Sequence, residues 1–229
     1  MNIAASPPSS PSSLTQKLAA ELLGSALLLT AVVGSGIMGE RLAGGNAAIA
    51  LLANSIATGC ALYALITMFA PISGAHFNPV VTLIECLAGR LARVNAWQFM
   101  TAQLVGAVMG VMIAHLMFEL PLISLSQHVR SGGAQWFSEF VATFGLLTVI
   151  LHGARTSPQQ VAAMVACYIT AAYWFTASTS FANPTVTIAR ALTDTFAGIQ
   201  PSDAPMFIVM QLLGALAAYA LFKWMTRSS

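Results

Sequence analysis

The chain has 229 residues, of which 57% are hydrophobic and only 7% charged, and its mean hydropathy is +0.78. Such a composition excludes an ordinary soluble domain and makes the lipid bilayer its surroundings. The formal net charge is +2 and the basic residues are scattered, which excludes the basic stripe of a nucleic-acid partner.

In chain order, residues 1–13 combine serine and proline without charge or apolar period and read as a disordered tail. Lys17 then precedes an apolar run over 18–38, longer than a cleavable signal and long enough to cross about 30 Å of hydrocarbon. Five further runs of similar length follow, over 46–70, 94–118, 134–153, 159–176 and 203–225. Six spans are therefore expected, with 227–229 as a C-terminal tail. With both termini in the cytoplasm, Lys17, Arg90, Arg93, Arg155, Lys223 and Arg227 lie inside, against Arg41, Arg130 and Arg190 outside. This positive-inside bias supports that orientation, and a multi-pass protein of the cell (inner) membrane is expected.

Two apolar stretches, 78–88 and 183–196, are too short to cross alone, and they start alike. The first begins Asn78-Pro79-Val80-Val81-Thr82 and the second Asn183-Pro184-Thr185-Val186-Thr187. Aligning Glu21 with Glu139 superposes Leu28-Leu29-Thr30 on Leu146-Leu147-Thr148, and aligning Gln103 with Gln211 matches the Leu-x-Gly-Ala that follows each. The region 14–226 thus reads as one channel domain built from two repeats, 14–118 and 134–226. Each repeat holds three spans, an odd number, so the second enters the membrane inverted relative to the first. Asparagine at a cap with proline at the first helical position starts a helix. Eleven residues at about 1.5 Å each give roughly 16 Å, half the membrane. Two half-helices entering from opposite faces meet near the midplane, where irregular backbone is tolerated only if buried in protein or lining a wet path.

Ser73-Gly74-Ala75-His76-Phe77-Asn78-Pro79 and the second Asn-Pro segment resemble the two signature loops of the aquaporin and aquaglyceroporin (major intrinsic protein) family. The resemblance runs over nearly the whole chain from Leu14. It implies an all-α hourglass of six transmembrane helices and two re-entrant half-helices, assembled as a homotetramer with one pore per subunit. Asn78 and Asn183 are then paired midplane donors that take the lone pairs of a passing hydroxyl oxygen, beside two helix N-termini that repel cations.

The sequence departs from the family pattern where selectivity is set. The third motif residue, commonly alanine, is Val80 in the first copy and Thr185 in the second. Many members carry an arginine three residues after the second asparagine, and this chain has Val186. Counting back without gaps, the remaining constriction positions fall on Thr58, Ala171 and Ser180. All four are uncharged and small or medium, so a wide, arginine-free mouth is expected. Arg190, seven residues after Asn183, is expected to snorkel and not to sit where Val186 does. The run from Asn183 to Ile199 resembles a bacterial branch associated with arsenic resistance. The implied solutes are glycerol-like polyols, arsenite and methylated arsenicals, with water. A water-selective pore and a proton-coupled secondary transporter are the alternatives.

Glu21 and Glu139 are intramembrane carboxylates at equivalent repeat positions and are expected to accept hydrogen bonds from the loops before the half-helices. His76 is expected in the pore vestibule, and His115 and His152 at the membrane interface. The histidines lack metal-ligand spacing. Cys60, Cys86 and Cys167 lie far apart in apolar segments and read as packing residues. Neither a nucleophile with a base partner nor a phosphate loop is visible, so the expectation is a channel without catalytic residues, metal or cofactor.

Overall fold

A computed structural model describes residues 12–227. Of the expected tails, residues 1–11 and 228–229 lie outside the described residues. Ser13 belongs to no tail: its hydroxyl accepts from the Gln16 amide while the Gln16 side chain accepts from the Ser13 amide, a capping box that opens the first helix.

Eight α-helices follow among the described residues: α1 (Leu14–Leu42), α2 (Ala47–Ser73), α3 (Pro79–Leu87), α4 (Arg93–Met117), α5 (Gly133–Thr156), α6 (Val161–Phe175), α7 (Pro184–Arg190) and α8 (Ala204–Met225). Helices α1, α2, α4, α5 and α8 are long and apolar enough to cross a membrane. The remaining expected span, 159–176, is shortened as an α-helix, because Pro158 opens a 3₁₀ turn (Pro158–Gln160) that leads into the 15-residue α6. The second half-helix is also shorter than expected. It stops at Arg190, and the chain beyond it bonds to the α4–α5 connection instead, with Ser124 and Ser126 donating to the Leu192 and Ala191 carbonyls and Gln200 donating to that of His128.

The packing repeats as the sequence does. In the first half α1 lies between α2 and α4, and in the second α5 lies between α6 and α8, while α2 meets α6 across the halves. The other six helices surround α3 and α7, which enter from opposite faces and bring their N-termini together. Large apolar side chains such as Leu23, Ile56, Val105, Met109 and Leu213 face outward, whereas Glu21, Gln103, Glu139 and Gln211 are fully buried. Apolar outside and polar inside is the arrangement lipid demands. The cysteines do not act as packing residues throughout, since Cys60 and Cys167 are exposed. His115 is not interfacial either. It is fully buried, with Nδ1 on the Pro121 carbonyl (2.6 Å) and Nε2 on Thr193 Oγ1 (2.7 Å), and ties the end of α4 to the loop after α7.

Small residues set the closest crossing. A Cβ added at Gly106 would stand 2.1 Å from the Leu22 carbonyl oxygen, and one at Gly110 2.2 Å from that of Ala26. Backbone cannot yield as a side chain does, so α1 and α4 touch only because these positions carry no Cβ. We expect Gly106→Ala to cost at least the ~1–3 kcal/mol typical of overpacking. Thermal unfolding in detergent should fall well below that of Gly133→Ala, where the added methyl meets nothing within 4 Å.

Candidate functional site

The two connections that precede α3 and α7 bend sharply and carry their strain at non-glycine residues. Ala75 (φ 51°) and Phe77 (φ 49°) in the first loop correspond to Ser180 (φ 51°) and Ala182 (φ 49°) in the second, and Thr179 (φ 60°) stands where the first has Gly74 (φ 92°). Each such residue costs on the order of 1–3 kcal/mol and persists only if its surroundings impose it. Here a buried carboxylate does so. Glu21 Oε1 accepts from Ser73 Oγ (2.6 Å) and the His76 amide (2.9 Å), and Oε2 accepts from the Phe77 amide and Gln103 Nε2 (both 2.8 Å). Glu139 Oε1 accepts from Ser178 Oγ (2.6 Å) and the Phe181 amide (2.9 Å), and Oε2 from the Ala182 amide (2.9 Å) and Gln211 Nε2 (2.6 Å). Four donors per carboxylate fill its acceptor sites.

The same glutamines reach the half-helices. Gln103 Nε2 also donates to Thr82 Oγ1 (2.9 Å), which caps back to the Asn78 carbonyl, and Gln211 does the same through Thr187 to Asn183. Carboxylate, loop and half-helix therefore form one polar unit in each repeat. Sequence reasoning found its glutamates and used its glutamines only for alignment. It missed Ser73 and Ser178, although both stand five residues before an asparagine.

Asn78 Oδ1 accepts from the Val80 amide (3.1 Å), and Asn183 Oδ1 from those of Thr185 (2.9 Å) and Val186 (3.3 Å). Pro79 and Pro184 occupy the first helical positions and need no donor partner. The side-chain nitrogens cross between repeats: Asn78 Nδ2 donates to the Ala182 carbonyl and Asn183 Nδ2 to that of Phe77, both at 2.8 Å. Each amide has two hydrogens, so one of each pair is committed across the repeat boundary.

A cavity of about 90 Å³ runs past both asparagines, space for a few waters or one small polyol. Its lining obeys the repeat. On α1 and α5, Leu28 and Val32 answer to Leu146 and Ile150. On α2 and α6, Thr58, Leu62 and Ile66 answer to Val165, Ile169 and Tyr173. On the loops and half-helices, Ala75 to Asn78 and Val81 answer to Ser180 to Asn183 and Val186. Within each group the separation is constant, at 118, 107 and 105 residues respectively, as subtraction of these positions gives. One lining residue, Arg190, has no counterpart.

Among the expected site residues, His76, Asn78, Asn183, Thr58, Ser180 and Val186 come together on this cavity. Glu21, Glu139, Val80 and Thr185 stand behind it. Two expectations are corrected. Ala171 does not line the cavity and is exposed. The inward positions of α6 recur every fourth residue at 165, 169 and 173, so position 171 faces the other side of the helix. Tyr173 takes the place, its hydroxyl 3.2 Å from Thr58 Oγ1. Nor is the mouth free of a guanidinium. Arg190 is four residues after Val186 on α7, on the same face, and its side chain leans back toward the helix N-terminus. It lies 3.4 Å from the Phe181 ring centre and donates Nε to the Ala197 carbonyl, 2% exposed.

The profile of the major intrinsic protein family matches residues 9–160 and again 152–229. The chain belongs to the major intrinsic protein family. It is 53% identical over 212 residues to the aquaglyceroporin AqpS of Rhizobium meliloti (strain 1021), covering 93% of this chain and 91% of that protein. Aquaporin TIP1-2 of Musa acuminata is 33% identical over 136 residues, 57% of this chain and 54% of the relative. The solved aquaglyceroporin from Plasmodium falciparum superposes with a TM-score of 0.70, covering 93% of this chain and 95% of that one; at 19% identity this is a likeness of fold. Members of the family are passive channels, and this chain is a channel and not an enzyme.

The buried carboxylates carry a direct expectation. Glu139→Gln replaces one acceptor oxygen with an NH2 that faces N–H donors, leaving at least one buried pair unmade. We expect a loss of about 3 kcal/mol or more, seen as a lowered unfolding temperature in detergent, with the exposed Glu40→Gln as an unchanged control.

Proposed function

We propose that the channel conducts small neutral hydroxylated solutes: glycerol-like polyols, arsenite in its neutral trihydroxide form and methylated arsenicals, together with water. The observation that carries this reading is the lining of the cavity around Val186. Thr58, Tyr173 and Ser180 bring three hydroxyl-bearing side chains to that lining, and the position three residues after Asn183 is a branched aliphatic. A solute with several hydroxyls replaces its hydration at such a wall, while the leucine, valine and isoleucine side chains opposite leave an ion unsolvated. The name of the 53% identical relative, an aquaglyceroporin, points the same way.

At the midplane, the second hydrogen of each Asn78 and Asn183 amide faces a passing oxygen. Two fixed donors occupy both of its lone pairs, which breaks a proton chain at that point. The cross-repeat bonds hold both amides in that orientation. His76, with Nδ1 3.0 Å from Thr82 Oγ1, lines the vestibule on the side of the termini. In this reading the termini face the cytoplasm of a cell whose inner membrane holds the protein, and four copies assemble side by side, each with its own pore. The outward leucines, isoleucines and methionines provide the apolar surface for lipid and neighbours.

Stopped-flow light scattering on proteoliposomes tests this. Wild type should pass glycerol and arsenite well above empty vesicles, and Val186→Arg should suppress both at least tenfold while water flux falls less than twofold. Wild-type vesicles that conduct water and neither larger solute would overturn the solute reading.

A further inference from the structure

Ten pairs of repeat-related residues line the cavity and Arg190 stands alone among them. Scaffolding that serves both halves equally is duplicated in this chain, so an unduplicated lining residue serves one mouth. Its counterpart by the loop separation of 105 residues is Glu85, which lies outside the cavity and closes an ion pair with Arg90 at 2.6 Å. At one mouth this position is neutralised and withdrawn; at the other it is an arginine facing the path.

The side chain is held for that purpose. Nε is spent on the Ala197 carbonyl and one face lies on Phe181, while the two terminal nitrogens have no protein hydrogen-bond partner and no carboxylate within 4 Å among the described residues. Arg130 approaches the same ring at 5.3 Å, but its nitrogens go to the carbonyls of Gly198, Ser178 and Phe196, and it does not line the cavity. It fixes the loop on which Arg190 rests and adds positive potential. Beside them Ser180 lines the cavity, and its buried Oγ has no hydrogen-bond partner among the described residues. An unpaired intramembrane charge is tolerated where it faces a wet path, and five rigid donors in a planar fork suit a solute bearing several oxygens.

We propose that Arg190 is the specificity-determining charged wall of the mouth distal to the termini. Its guanidinium, supplied from the last turn of α7 and not from position 186, donates to hydroxylated solutes alongside Ser180 and keeps cations out. The proposal rests on the conducting role given above for this cavity.

The test uses full-length protein in proteoliposomes. Arg190→Met keeps length and loses the charge, and it should raise potassium leak at least tenfold and lower the ratio of glycerol to water permeability several-fold. Arg190→Lys should keep potassium out yet not restore the ratio, since a point charge lacks the fork. Arg190→Met combined with Val186→Arg should again exclude potassium. An Arg190→Met channel as potassium-tight as wild type, with the same glycerol ratio, overturns the proposal. Because Arg190 also braces the loop, a second arm leaves it in place: Ser180→Cys is labelled with neutral and cationic methanethiosulfonates and read at position 180 by mass spectrometry. The cationic reagent should react at least tenfold more slowly than the neutral one, relative to a free thiol, and equal rates overturn the charged wall even if Arg190→Met does not fold. If wild type passes no glycerol while Ser180→Cys still rejects the cation, the solute reading fails and the wall stands.

Discussion

Backbone amides at the middle of a bilayer have no water to bond, and a loop there must bring its own acceptors. In this chain the acceptors are two glutamate side chains, Glu21 and Glu139. Each takes two backbone amides, a serine hydroxyl and a glutamine amide. Everything inward depends on this. The left-handed residues before each asparagine are held by those bonds, the asparagines are aimed by the loops, and the half-helices begin where the asparagines cap them. A carboxylate is costly inside a membrane, but one that meets four donors replaces its hydration shell almost fully.

The lining follows from the same repetition, and so does its one exception. Duplication gives the cavity equivalent walls from both halves and a path that looks alike from either end. The hydroxyls are less evenly divided. Thr58 is mirrored by Val165, Ala75 by Ser180, and Ile66 by Tyr173. Three hydroxyls and Arg190 thus gather toward one mouth, while the corresponding positions of the other are mostly apolar. The fold supplies a symmetric conduit, and a handful of side chains make it directional in chemistry though not in backbone.

Much of this was legible in the sequence because the signals were duplicated. Two Asn-Pro steps, two glutamates and two glutamines at matching positions predicted the inverted repeat, the half-helices and the role of the carboxylates. The errors came where register or side-chain path decided the outcome. Counting back to Ala171 without gaps ignored that α6 is short and follows a 3₁₀ turn, so the inward face passes through 165, 169 and 173. Arg190 was assigned to snorkelling because it lies two turns from Asn183, although it lies one turn from Val186, and the side chain covers that difference by leaning back along the helix. Its seat also needed Phe181 and the Ala197 carbonyl, contacts between segments that no local pattern reveals. The end of α7 was overestimated for a similar reason, since backbone bonds to residues 124–128 draw the chain away from the helix after position 190.

The exchanged amide bonds at the midplane, Asn78 to the Ala182 carbonyl and Asn183 to that of Phe77, bear on how such a chain is made. Asn78 precedes the carbonyl it meets by 104 residues, so that acceptor does not exist while the first half is being synthesised. The cavity therefore cannot close by halves. Until α7 is made the first loop lacks these partners, and the second half completes a site begun by the first.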